Sequence, residues 1–124
     1  RLGVALTEAL LNAILHGNLG VSSELREEGL SVFFDKVKQR SHERPYCDRR
    51  VYVDARWTCQ QCEFVIRDEG EGFDVSSLPD PTDPANLVRE SGRGVMLMQM
   101  FMSDVHYNDV GNEVRMIKRK DTEL

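Results

Sequence analysis

Glu8, Asn12 and His16 recur at i, i+4 and i+8 within a largely apolar run, Thr7 to Asn18. On a helix they stack along one face. Such a line can do chemistry. A carboxylate at Glu8 can take a proton from an attacking hydroxyl or water. The amide of Asn12 can offer Mg²⁺ a neutral oxygen, a cation that takes its remaining ligands from water and nucleotide phosphates. Two further clusters suit the same purpose. Asp68-Glu69-Gly70-Glu71-Gly72-Phe73-Asp74 follows an apolar run, so Asp68 can accept a hydrogen bond from an exocyclic amine such as that of adenine. Its glycines permit positive φ and close backbone approach. Ser91-Gly92-Arg93-Gly94 opens another apolar run. Glycine-rich backbone at a helix start exposes N–H groups to an anion, and Arg93 adds a charged fork for phosphate oxygens. Together the three clusters suit nucleotide binding. Neither a P-loop pattern nor a strand-to-helix Gly-x-Gly-x-x-Gly is present, so the site is of another type.

Each cluster needs an element to hold it. The first belongs to a helix running to Gly17-Asn18 and Gly20. Ala5, Ala9 and Ala13 lie beside its polar line, and Leu2, Leu6, Leu10 and Ile14 cover the other side. A helix apolar on nearly every side is expected to be buried. Ser22 and Ser23 offer N-caps for a second helix to about residue 40, with Leu30, Phe33, Phe34 and Val37 at helical spacing and Gly29 weakening or splitting it. The basic residues between Lys36 and Arg50 read as a solvated face.

Residues 50–57 alternate, with Val51, Val53 and Ala55 on one face, as a half-buried strand would. A short polar turn leads to a second strand, Cys62 to Asp68, making an antiparallel hairpin. A long irregular stretch follows from Val75, with a short helix from Asp83-Pro84 to about Arg89. Loops of that length in a small domain are usually functional or disordered. A helix from Val95 to about Met102 and two strands, 104–107 and 113–118, complete the pattern, with a turn at 108–112. The alternating methionines of that helix read as core filling.

A length of 124 residues gives one domain with a real core, of ordinary hydrophobic (40%) and charged (30%) content. A net charge of −5 argues against a general nucleic-acid binder while leaving room for a local basic patch. No apolar run approaches the roughly 20 residues that span a bilayer, and no signal peptide is visible. Three cysteines, an odd number, fit reduced thiols in a cytosol. Cys59 and Cys62 have the spacing of half a zinc site, yet no second pair exists, and a hairpin turn accounts for them. The chain begins at Arg1 inside a helical pattern, so N-terminal structure is expected to lie outside it.

The order of the clusters resembles the ATP-binding domain of the GHKL superfamily, the group with gyrase and histidine kinases. Within it the chain is most similar to the bacterial anti-sigma-factor serine/threonine kinases. Glu8-Ala9-Leu10-Leu11-Asn12-Ala13-Ile14-Leu15-His16-Gly17-Asn18 looks like their N box, including a His-Gly that histidine kinases usually lack. Asp68 to Asp74 and Ser91 to Val105 look like the two glycine boxes, the second with its following helix. Gly111-Asn112-Glu113-Val114-Arg115 looks like the last box.

That resemblance implies an α+β fold, the two-layer α/β sandwich called the Bergerat fold. Its sheet is mixed, mostly antiparallel, with helices on one face. The domain would cover residues 1–120, with a helical insert at about 21–44, an ATP lid at about 75–92 and a tail at 121–124. Glu8 would be the catalytic base and Asn12 the Mg²⁺ ligand. Asp68 would read the adenine amino group, within a box that includes Gly70, and Gly72 would give the base room. Gly92, Arg93 and Gly94 would line the phosphates. Asn112 stands where the family more often has Thr, which leaves its contact open. The family's N-terminal strand and helix have no counterpart before the N box, and the insert is longer than the usual connection.

The implied activity is ATP-dependent phosphorylation of a serine or threonine in cytoplasmic partner switching. The partners would be a sigma factor, an anti-sigma-factor antagonist, or both. A fused sensor or receiver domain and a homodimer are compatible with it; nucleic-acid and membrane binding are not expected. Two alternatives remain: a non-catalytic ATP-binding module of a larger signalling protein, and a histidine-kinase catalytic domain.

Overall fold

A computed structural model describes residues 1–78 and 93–120. The expected helix at 83–89, most of the lid, Gly92 and the tail at 121–124 lie outside the described residues.

Helix α1 (Leu2–Leu11) runs directly into a π-helical stretch, Asn12–Asn18. Helices α2 (Leu25–Glu28) and α3 (Leu30–Arg40) follow, then a 3₁₀ turn at Tyr46–Asp48. Strands β1 (Tyr52–Trp57) and β2 (Gln61–Arg67) form the first hairpin. Its turn closes on Thr58, whose hydroxyl accepts from the N–H groups of Gln60 (3.1 Å) and Gln61 (3.3 Å). Helix α4 (Arg93–Phe101) precedes the second hairpin, β3 (Asp104–Tyr107) and β4 (Glu113–Arg119).

The strands form one open sheet in the order β1-β2-β4-β3. All three pairings are antiparallel, so among the described residues the sheet has no parallel component. The register places Ile66 opposite Val114, and Val114 opposite Tyr107. These three therefore share one face. That face carries Ile66, Val114 and Met116 into a core completed by Ala5, Ala9 and Ala13 of α1 and by Val95, Met98 and Met102. The opposite face is wet, and its Arg115–Glu63 ion pair (3.2 Å) stabilises by roughly 0–1 kcal/mol. The result is an α+β architecture with α1 and α4 packed against one side of an antiparallel sheet.

Alanines at 5, 9 and 13 turn α1's smallest side inward, and a helix with small residues can lie close to its neighbour. Leu2, Leu6 and Leu10 pack, partly buried, against the same core, whereas Val4, Leu11 and Ile14 face outward. Val4 is 41% exposed and Ile14 43%. The expectation of burial on nearly every side is thus corrected: apolar composition is present all round, but among the described residues packing partners are not. The same correction applies to β1, expected to be half buried. All six of its residues are exposed, and among the described residues β1 is an edge strand paired only with β2.

Gly29 does split the second helix. Its φ of 136° is closed to side-chain-bearing residues in practice, so α2 ends there and α3 starts afresh. Phe33 of α3 is fully buried against Leu19 and Val21 in a second, smaller core. Two arginines read as a solvated face have structural work instead. Arg40 donates to the carbonyls of Leu19 and Gly20, each at 2.9 Å, and Arg49 donates to that of Asn18 at 2.9 Å. Both guanidinium groups lie over the Tyr46 ring. They satisfy carbonyls left unpaired where the helix stops. The methionines divide as well: Met96, Met98 and Met102 are buried, whereas Met100 is 58% exposed.

Candidate functional site

A cleft of 490 Å³ opens between the C-terminal half of the first helix, the start of α4 and the ends of β2 and β3. Glu8, Asn12 and His16 all line it. The change from α to π winding occurs at Asn12, and Leu19 N–H donates to the Ile14 carbonyl five residues back (3.0 Å). π-Helical turns concentrate at functional sites.

Asp68 sits at the end of β2, only 7% exposed. Its Oδ1 accepts from the Gly70 N–H at 2.8 Å. Burial pushes its carboxyl above the ordinary range, opposed by that hydrogen bond and by the charge of Arg49. Gly17 is required by this carboxylate. A Cβ at Gly17 would stand 2.4 Å from Asp68 Cγ and Oδ2. Gly70 is pressed as closely from the other side, where a Cβ would meet the Gly17 carbonyl oxygen at 2.2 Å. Asn18, buried, accepts from the Glu69 N–H through Oδ1 at 2.7 Å. His16 holds the Val21 carbonyl through Nδ1 at 2.6 Å. A carbonyl can only accept, so Nδ1 carries the proton. Burial lowers the His16 pKa most; the carbonyl raises it and Arg26's charge lowers it further. The His16-Gly17-Asn18 ending thus locks the helix terminus to the glycine loop and to Asp68.

Gly72, at φ +81°, meets the 108–112 turn so closely that a Cβ would lie 2.0 Å from the Val110 carbonyl oxygen. Phe73 N–H donates to that same carbonyl at 3.0 Å. Asn112 lines the cleft, but its side-chain oxygen accepts from Asn108 Nδ2 at 2.7 Å. Its backbone carbonyl accepts from the Asp68 N–H at 2.9 Å. Asn112 therefore joins the last box to Asp68 through the main chain.

Gly94 lies at the start of α4. A Cβ there would stand 2.8 Å from Glu8 Oε2 and 3.3 Å from Asn12 Nδ2. Glu8, Asn12 and Gly94 are thus one cluster, formed where α1 crosses α4. Arg93, exposed, borders a smaller adjoining cavity together with Glu8. Among the described site candidates, Glu8, Asn12, Asp68, Gly72, Gly94 and Asn112 line the main cleft; Gly70 packs behind Asp68; Gly92 is outside the described residues.

Tyr107 was not singled out from sequence. It stands between Asn12 and Asp68: its side chain hydrogen-bonds with that of Asn12, and its ring packs edge-on against Phe73 at 5.1 Å. Burial above all pushes its hydroxyl up to about 12; the Asp68 charge adds to this and Asn12 opposes it. The signal was the strand register, which puts Tyr107 on the helix-facing side, and that register is invisible before pairing is known.

With antiparallel sheet, paired helices and a cleft of this make-up, the family described as Histidine kinase-like ATPase domain matches residues 1–118, and the chain belongs to it. It is also similar to the Serine-protein kinase RsbW of Oceanobacillus iheyensis, at 27% identity over 115 residues. That match covers 87% of this chain and 56% of the relative, so the chain spans little more than half of the relative's length. No solved structure matches the chain.

Proposed function

We propose that this chain is the ATP-binding domain, residues 1–120, of a bacterial protein serine/threonine kinase of the anti-sigma-factor type. It would act in cytoplasmic partner switching on a sigma factor, an antagonist of an anti-sigma factor, or both. The observation that carries the reading is the junction of Glu8, Asn12 and Gly94 in one cleft with Asp68. The similarity to a serine-protein kinase supports the choice of reaction.

Asp68 accepts the adenine amino group. The burial that raises its pKa also makes the ionised carboxylate a stronger acceptor. Gly92, Arg93 and Gly94 hold the phosphates through backbone N–H groups and one guanidinium. Among the described residues no group of three or more His, Cys, Asp or Glu could hold a metal. The donor chemistry therefore fits a cation that comes with the nucleotide: Asn12 would give Mg²⁺ one neutral oxygen, and the ion would supply charge neutralisation on the phosphates. Glu8 takes the proton of the acceptor hydroxyl as its oxygen bonds to the terminal phosphorus. The bond from that phosphorus to the bridging oxygen breaks, and ADP leaves. The segments 21–44 and 75–92 act as insert and lid.

Glu8→Ala is expected to abolish transfer of labelled phosphate to an antagonist protein while leaving ATP binding nearly intact. Transfer that survives the substitution contradicts the assignment of the base. Binding without any labelled product from the unaltered chain would favour a regulatory ATP-binding module.

A further inference from the structure

Arg26 has an environment that the reading above leaves unexplained. It lies on α2, in the segment between the first helix and the first strand. Its guanidinium carbon stands 4.7 Å from the centroid of the Phe33 ring, a cation–π contact that fixes the group over a buried aromatic. Its Nε is buried and has no hydrogen-bond partner among the described residues. None of the ion pairs among the described residues involves it. A buried, unpaired donor on a charged group costs stability and calls for a reason.

The position supplies one. Arg26 borders the main cleft, and it also borders the adjoining 240 Å³ cavity whose other walls are Glu8, Leu30, Arg93, Gly94 and Leu97. Two arginines and one glutamate line that cavity, so the charged residues around it sum to a net positive charge and suit an anion. It continues the cleft at the Glu8–Gly94 end, away from Asp68, which is packed against Gly17. The electrostatic reach of Arg26 into the cleft is already felt at His16, whose protonation it disfavours.

We propose that Arg26 grips the terminal phosphate of the bound nucleotide, opposite Arg93, and so lets the cleft distinguish a nucleoside triphosphate from a diphosphate. This rests on the nucleotide reading of the cleft. Arg26 is a binding residue contributed by the helical segment, held ready by its stack on Phe33. Guanidinium–phosphate hydrogen bonds are charge-assisted and geometrically selective, and a lysine at the same place would supply charge without the fork.

The test is calorimetric titration of the chain and of Arg26→Ala and Arg26→Lys with ATP and with ADP, each with Mg²⁺. Arg26→Ala is expected to weaken ATP binding about tenfold or more, with ADP changed by no more than about twofold. Arg26→Lys should fall between the two and serves as the folded comparison if the alanine variant does not fold. ATP affinity unchanged in both variants, or ATP and ADP weakened equally, overturns the proposal while leaving nucleotide binding in place. An unaltered chain that binds neither nucleotide removes the nucleotide reading itself, and the role of Arg26 with it.

Discussion

Gly17→Ala is a severe perturbation for its size. The added methyl group would start 2.4 Å from Asp68 Cγ and Oδ2 and 2.7 Å from Oδ1, well inside contact distance. The carboxylate has little room to retreat, since it is buried and bonded to the Gly70 N–H. Overpacking of a tight site costs about 1–3 kcal/mol. Loss of a hydrogen bond to a charged group costs about 1.5–3 kcal/mol. Against this, alanine is better than glycine in a helix by about 1 kcal/mol. The net expectation is a loss of about 3 kcal/mol, or about 10 °C in Tm for a domain of this length. Nucleotide affinity should fall with it, because Asp68 must leave its place. Thermal melting followed by circular dichroism, with calorimetric titration of ATP, measures both. A variant that melts at or above the unaltered chain and binds ATP equally well would refute the packing of Gly17 against Asp68.

Two pH-dependent predictions follow from the buried groups. The folded state lowers the His16 pKa below its ordinary 6.5, so the unfolded state takes up the proton first and stability is lost as pH falls from 6.5 through the folded value. Urea unfolding at descending pH should show this loss in the unaltered chain and not in His16→Gln; parallel curves would contradict it. Asp68 has the opposite sign, since its folded pKa is raised above the ordinary 3.8: its contribution falls as pH rises from 3.8 through the raised value. Asp68→Asn should lack that decline and gain stability relative to the unaltered chain as pH rises across the same window, and a relative loss there would contradict the sign.

What could be read from the sequence was local. The row of Glu8, Asn12 and His16 needed only helical spacing, and the structure places all three on one cleft. The two hairpins followed from alternation and turn residues, and Gly29 from its own backbone freedom. What escaped was set by partners distant in the chain. Alternation in β1 showed which residues share a face, not whether a helix would cover that face, and none among the described residues does. Arg40 and Arg49 looked like solvent charges because the carbonyls they serve, at 18–20, lie far away in sequence. Tyr107 gained its place only through pairing with β4, and Arg26 only through the fold of α2 and α3 against the first helix. The glycines show the same limit: spacing marked Gly72 as permissive, but its close approach to Val110 depends on a turn nearly forty residues later.

Calorimetric titration of this chain with ATP in the presence of Mg²⁺, alongside Asp68→Asn, decides whether the cleft at Asp68 is a nucleotide site. Saturable binding at a single site is expected in the unaltered chain, and its loss in a variant that remains folded. Heats indistinguishable from dilution in the unaltered chain, or equal affinity in Asp68→Asn, would contradict it.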